Sequence, residues 1–299
     1  MRYGQAFREV VAGDGATPVI GVFDMLSASV AARHHDALFV SGLGLAASHY
    51  GLPDIGFIAW PDVVDFVRRL RLAFPAHHLL VDIDDGYVDV EVARHVVRAL
   101  EHVGASGVVL EDQSRPRRCG HVGGKRVLPL RDYLDKLDAV LDTRSDLVVV
   151  ARTDATDEDG MLERAGAFAR AGADAVLVDG VPSVAVLAGV VGAARPVPVV
   201  FNQIAGGKSP SLSLTELGGL GVRVAIYSTP CLFAAQTAIE DALARLRADD
   251  GRLPADSIGV ADSQALLADN LAPRHAVPGP RGGGAGSGGQ AVPHPVPAE

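Results

Sequence analysis

The segment Glu111–Arg126, EDQSRPRRCGHVGGKR, sets Cys119, one of only two cysteines in 299 residues, among Arg117, Arg118 and His121. Neighbouring positive charge favours a thiolate, or easy proton exchange near neutrality. The nearby proline and glycines suit a mobile lid, and a packed structural cysteine is the plainer alternative. Upstream, VDIDDGY brings Asp82, Asp84 and Asp85 to a turn at Gly86. In a strand Asp82 and Asp84 share a face, and hard carboxylate oxygens suit Mg²⁺ or Mn²⁺, with water and substrate filling the other positions. Glu111 and Asp112 could reach the same ion. The alternative is turn chemistry at Asp85-Gly86 with Asp84 as a helix cap. In ARTDA, Arg152 offers a planar fork for a carboxylate or phosphate, or a structural ion pair with Asp154 or Glu111.

The stretch SGLGLAAS, Ser41 to Ser48, formally matches a dinucleotide-binding glycine pattern. That pattern needs an acidic strand end about twenty residues on, and the next one here is far later, at Asp82. Small residues with free N–H groups can still cradle a carboxylate. Cys231, in an apolar run after Pro230, reads as core.

The elements that must position these groups recur. TPVIGVFD, ALFVSGLG, LLVDID, GVVLED, LVVVART, AVLVDG, VPVVFNQ and RVAIYS are β-branched runs with little alternation, each followed by a helical pattern. Such runs fit strands buried on both faces. In Val90 to Val103, Ala93, Val96, Val97 and Leu100 form one apolar stripe. Eight βα units predict an α/β fold, a (β/α)8 TIM barrel over residues 1–250. Asp24, Ser41, Asp84, Glu111, Arg152, Asp179, Asn202 and Ser228 then fall at eight strand ends, which a barrel gathers at one mouth. Residues 251–272 read as an extra C-terminal helical segment able to pack on a neighbouring subunit. The Gly/Pro-rich stretch 273–299 cannot offset its ordering entropy and is expected to be disordered.

A formal charge of -9 with no long Lys/Arg block argues against nucleic acid or an anionic membrane as partner. Two cysteines allow no disulfide framework. The N-terminus lacks the apolar core of a signal peptide, and the longest apolar run, Val184 to Ala194, is too short to span a bilayer. A soluble cytoplasmic protein is expected.

The motifs SGLGLAAS…GLPDIGF, DIDDGY, EDQ…RRCGH, ARTDA and FNQIAGGKSP, in this order over about Ala16 to Leu246, resemble the isocitrate lyase and phosphoenolpyruvate mutase superfamily. The resemblance implies a (β/α)8 barrel, Mg²⁺ (or Mn²⁺), a small carboxylate substrate and a homo-oligomer, a tetramer swapping C-terminal helices. It implies Asp84 as metal ligand with Asp82, Asp54 and Glu111 in support, and Glu111 also among the catalytic groups. Ser41, Gly42 and Gly120 would hold the substrate carboxylate, with Asn202, Asp179 and His121 lining the pocket. Arg152 would neutralise developing charge, and Cys119, on a gating loop over Arg115 to Arg126, would protonate the product enolate. Where the family's carbon–carbon lyases carry glutamate after the sixth strand, this chain has Asp179-Gly180. Where they read Asn-x-x-Glu-Gly-Gly, it has Asn202-Gln-Ile-Ala205-Gly-Gly. The leading expectation is a Mg²⁺-dependent lyase of a 2-hydroxy or 2-oxo dicarboxylate. The alternatives are a phosphonomutase-type enzyme acting on a phosphorus–carbon bond, as in carboxyphosphonoenolpyruvate mutases, and a non-catalytic metabolite-binding barrel.

Overall fold

A computed structural model describes residues 2–87 and 89–271. Eight parallel strands close in sequence order: β1 (Thr17–Val22), β2 (Ala37–Val40), β3 (His78–Asp82), β4 (Gly107–Glu111), β5 (Val148–Thr153), β6 (Ala175–Val178), β7 (Val199–Asn202) and β8 (Val222–Tyr227), with β8 pairing back on β1. Each of the eight β-branched runs supplies one strand.

Around them lie α2 (Met25–Ala31), α3 (Gly42–Leu45, continuing as a π turn over Ala46–Tyr50), α4 (Trp60–Ala73), α5 (Val90–His102), α6 (Leu130–Thr143), α7 (Glu158–Arg170), α8 (Val184–Ala194), α9 (Leu214–Leu220) and α10 (Pro230–Ala248). Several start where sequence chemistry dictates. Asp89, Asp157 and Ser183 accept hydrogen bonds from backbone N–H groups three residues on, as N-caps do. Asp24 does the same for α2 and forms a capping box with Ser27. Its carboxylate is therefore spent on the helix, which removes it from the eight groups expected at the mouth.

Two apolar layers result. The outer faces of the strands pack against the helices. Inside the barrel, Phe39, Leu80, Val109, Val148 and Ile226 fill the bore with side chains from the other strands. A first helix, α1 (Tyr3–Val11), lies across the N-terminal end and inserts Phe7, fully buried, into that inner cluster. Arg8 fastens it to Asp174 (3.0 Å) and to the Asp146 carbonyl (2.7 Å).

His78, at the start of β3, stacks near Phe7 with ring centroids 5.4 Å apart. Burial, then the charge of Arg71, pushes its pKa down to about 4, against a smaller pull upward from Asp36. The unfolded chain, near 6.5, therefore binds more protons as pH falls below that value. Stability from this site is complete above pH 6.5 and is lost between 6.5 and 4, up to about 3 kcal/mol. His78→Gln should flatten the melting-temperature profile in that window; an unchanged slope would refute the assignment.

At the C-terminal end, α11 (Val260–Ala268) lies beside α2, where Asn270 donates to Ser29 Oγ at 2.8 Å. No residue of α10 is buried, and Ile239, Leu243, Ile258 and Val260 are exposed. The expected disordered stretch 273–299 lies outside the described residues. Among those residues no helix is long and apolar enough to cross a membrane.

Candidate active site

The strand ends converge as the barrel requires, though not by the expected route. Strand β3 stops at Asp82, and Asp84 turns out of it with φ +52°, a left-handed conformation that aspartate tolerates better than most residues. The two carboxylates meet all the same: a Cβ built on Gly42 would lie 3.3 Å from Asp84 Oδ1 and 3.4 Å from Asp82 Oδ2. Asp84 is no helix cap. Asp85 is the turn residue, accepting from the Tyr87 N–H and pairing with Arg115 at 2.8 Å.

The arginines beside Cys119 do not face it. Arg117 folds into the acidic cluster, with Nη1 2.6 Å from Asp54, Nη2 2.9 Å from Asp84 and Nε 3.0 Å from Glu111. The Arg118 backbone N–H donates to the Gln113 side chain, and its guanidinium to the Arg117 carbonyl. The expectation of a cationic, thiolate-favouring setting is thereby corrected. Burial pushes the Cys119 thiol up; the backbone N–H of His121 lowers it, and Asp54 and Asp179 raise it again. The sulfur keeps its proton at neutral pH.

Arg152 is the hub of the opposite wall. Its Nε lies 2.9 Å from Asp154, and Nη2 lies 2.7 Å from Asp179 and 3.3 Å from Glu111. Both paired partners anticipated for it, Asp154 and Glu111, are present. Burial alone would raise the pKa of Asp179, but Arg152, with His121 and Asn202, holds it well below the usual carboxylate range. Asp112, expected near the same ion, instead accepts from Thr153 Oγ1 (2.6 Å) and the Asp154 N–H (2.9 Å) and pairs with Arg164. Ala205 is exposed and does not line the cavity.

Between these walls lies a cavity of about 30 Å³, lined by Ser41, Asp54, Asp82, Cys119, Gly120, Arg152, Asp179, Asn202 and Ser228 together with apolar residues of the bore. That is space for roughly two waters. The segment carrying Cys119 shuts the cavity and is tied on both flanks, by Arg117 and by Lys125, whose Nζ lies 2.8 Å from Asp154 in a buried pair. A third tie comes from the β7–α9 connection, where the Lys208 N–H donates to His121 Nδ1 at 3.0 Å. That bond puts the ring proton on Nε2, which lies 3.3 Å from Asp179 Oδ1. Sequence reasoning missed Lys125 and Lys208. It could have weighted Asp154 more, since positions i and i+2 of a strand share a face.

Gly120 is fixed by contact. A Cβ there would collide with Asp179 Oδ2 and sit 2.6 Å from Arg152 Nη2. Gly120→Ala should therefore lower kcat/KM on the order of 10²-fold, because the segment cannot seat, and should lower the melting temperature as Arg117 and Lys125 leave their buried carboxylates. Limited proteolysis within 115–126 should speed up; wild-type rates in both assays would contradict the contact.

Metal geometry is not ready-made: among the described residues no three His, Cys, Asp or Glu side chains cluster so as to hold an ion. The donor set nevertheless fits a hard dication. Asp54, Asp82, Asp84, Glu111, Asp154 and Asp179 face only Arg117, Arg152 and Lys125. Burial pushes Asp84 up to about 8 and raises Glu111 and Asp82. Asp84 Oδ1 and Glu111 Oε2 are buried and accept no hydrogen bond, being held only by ion pairs with Arg117 Nη2 at 2.9 Å and Arg152 Nη2 at 3.3 Å. Mg²⁺ is held by one or two carboxylates with waters rather than by an all-protein cage.

The model of phosphoenolpyruvate phosphomutase matches residues 7–247. The 2,3-dimethylmalate lyase of Eubacterium barkeri is 30% identical over 256 residues, 84% of this chain and 88% of that protein. The structure of oxaloacetate acetylhydrolase with 3,3-difluorooxalacetate is 31% identical with a TM-score of 0.85, over 90% of this chain and 95% of that one. Phosphonopyruvate hydrolase, solved with oxalate and Mg²⁺, is 25% identical with a TM-score of 0.79, over 91% and 96%. The catalytic reading of the motifs agrees with these enzyme relatives, against the non-catalytic alternative. With its closed barrel and its five motifs in order, the chain belongs to the phosphoenolpyruvate phosphomutase family.

Proposed function

We propose that the protein is a Mg²⁺-dependent lyase that cleaves the C2–C3 bond of a small 2-hydroxy dicarboxylate. One observation carries the reading: a thiol that retains its proton, Cys119, lines the same small cavity as Arg152 and Asp82. In such a cleavage the hydroxyl passes its proton to a carboxylate lining the cavity, such as Asp82, the C2–C3 electron pair leaves as a carboxylate-stabilised enolate, and that carbon gains a proton. The products are a 2-oxo acid and a shorter carboxylate. Arg152 stabilises the charge that builds on the departing fragment, and Cys119 Sγ–H delivers the proton. Ser41 and Gly42, at the start of α3, hold the substrate carboxylate. Closure of the segment Arg115 to Arg126 excludes water, which would otherwise quench the enolate at random.

Asp84 and Asp82, with Asp54 and Glu111, would hold Mg²⁺. Bound there, it would polarise the substrate's oxygens and ease ionisation of the hydroxyl. Arg117 shares those carboxylates, so it neutralises the cluster while the segment is shut.

The test is an assay with purified protein and Mg²⁺, following 2-oxo acid release from 2-hydroxy dicarboxylates and, separately, oxalate release from oxaloacetate. Release of 2-oxo acid that EDTA abolishes is expected. Silence across the panel, with turnover of a phosphonopyruvate-type compound by phosphorus NMR, would sink the carbon–carbon reading.

The exposed apolar residues of α10 and of the segment beyond it support a homo-oligomer. Light scattering should give a multiple of 31.0 kDa, and the pair Ile239→Asp with Leu243→Asp should reduce it toward the monomer.

A further inference from the structure

The end of the barrel opposite the mouth carries a second hollow, of about 380 Å³, a size that small-molecule sites have. Three segments wall it: the start of α1 with Arg2 and Tyr3, the end of α5 with Arg98 and Glu101, and the α6–β5 connection with Asp146. Hydrogen bonds fasten the three together. Glu101 accepts from the backbone N–H groups of Ser145, Asp146 and Leu147, and Asp146 accepts from those of Gly4 (2.8 Å) and Gln5 (3.0 Å). Both carboxylates that face the hollow are thus engaged by backbone donors. The cations are not. Arg98 lies three positions before Glu101, where an ion pair would be ordinary on a helix, and finds that carboxylate already taken. The guanidinium groups of Arg2 and Arg98 are exposed and meet no carboxylate among the described residues.

Beneath this hollow sits a buried charge with no acid beside it. Arg71 is 9% exposed, and its guanidinium donates only to carbonyls, those of Gly104 (2.7 and 2.9 Å), Phe74 (3.1 Å), Pro75 (3.0 Å) and His77 (2.8 Å). Burial pulls its pKa down to about 10, so it stays charged at neutral pH. Its guanidinium carbon lies 3.7 Å from the centroid of the Tyr3 ring, and that ring lines the hollow. Carbonyl dipoles and a ring face attract a cation without cancelling its charge. A chain of formal charge -9 therefore keeps a positive hollow at this end, where an anion would meet three guanidinium groups.

We propose that this hollow binds a small phosphate-bearing molecule, with Arg2 and Arg98 closing on the phosphate from facing walls. Guanidinium forks match phosphate oxygens. A phosphate group presents three acceptor oxygens out of one plane, which suits donors arriving from α1 and from α5, whereas a carboxylate presents two oxygens in a plane. His102, one turn beyond Arg98 on the same face of α5, and the Ser145 hydroxyl are further donors in reach of the same hollow. Occupancy would tie the start of α1 to α5, and α1 carries Phe7 into the bore. The bound state should therefore melt higher than the free one.

The experiment titrates inorganic phosphate, glycerol 3-phosphate and malonate calorimetrically into the full chain, in EDTA so that no metal at the mouth recruits the anion. Wild type is compared with Arg98→Gln and Arg2→Gln, both at exposed positions, and melting curves without ligand check that the variants fold. Saturable binding of phosphate to the wild type is expected, weakened about tenfold or more in each variant, the worth of a charge-assisted hydrogen bond. Phosphate should also raise the melting temperature of the wild type more than that of either variant. Tighter binding of glycerol 3-phosphate would point to an organic phosphate and equal binding to free phosphate, and either upholds the site. Wild type that takes up no phosphate, or affinity that both variants leave unchanged, would overturn it, the second result placing the anion elsewhere. Malonate bound as tightly as phosphate, with the same dependence on Arg98, would overturn phosphate as the ligand class.

Discussion

Cys119→Ser should lower turnover by about 10²–10⁴-fold, the usual worth of a positioned general acid, while Mg²⁺ and substrate still bind. A hydroxyl replaces the thiol at nearly the same size, so the segment can still shut, but the proton it offers is far less acidic. The wild-type rate should hold through neutral pH and decline on the alkaline side, because the acid must be protonated and burial has raised the thiol above its ordinary value. That alkaline limb should vanish in the serine variant. Turnover unchanged by the substitution would assign the proton to another group, and rate-against-pH curves on both proteins separate the two outcomes.

Arg152→Leu is the second large effect, and it acts on folding as well as on rate. The guanidinium is buried among Asp154, Asp179 and Glu111. Asp154 keeps Lys125, Glu111 keeps Arg117, and Asp179 keeps Asn202 and His121. Taking the central cation away should cost about 3–5 kcal/mol, a fall in melting temperature on the order of 10 °C for a domain of this size. The gap from wild type should narrow as pH falls toward 5, since carboxylates that have lost their counter-charge can take up protons. Arg152→Lys should regain part of the stability but little turnover, because a point charge cannot fork across three acids. A melting temperature unmoved by Arg152→Leu would mean that water has replaced the guanidinium.

The barrel was legible because its signals are local. Eight buried β-branched runs, each with a following apolar stripe, leave few other ways to pair, and Asp or Ser before a helix announces its own start. The gathering of strand ends at one mouth was also legible, for Ser41, Arg152, Asp179, Asn202 and Ser228 line one cavity, whereas Asp24 caps a helix instead. The internal pairing of the site was not. Arg117 reaches Asp54 from sixty-three positions away and the Lys208 N–H reaches His121 from eighty-seven, and no periodicity records such meetings. Arg117 and Arg118 beside Cys119 in sequence suggested a cationic thiol, while the folded chain turns one into the acids and the other onto backbone. Asp84 shows the same limit: adjacency on a strand is a statement about extended backbone, and the left-handed residue at that point breaks it. The loss of a glutamate at Ala205 looked consequential on paper, yet the neighbouring Ile204 is the side chain that lines the cavity.

Phe7 joins the packed side chains that fill the bore from below, so a ligand in the cavity leaves by way of the mouth. For a reaction that makes two fragments of one molecule, a blind-ended chamber dictates who leaves first. The fragment nearer the mouth must go before the deeper one, and the deeper one departs from a vacated anteroom. Product-inhibition patterns would record that queue: the fragment released last should compete with substrate for the empty enzyme, and the fragment released first should not.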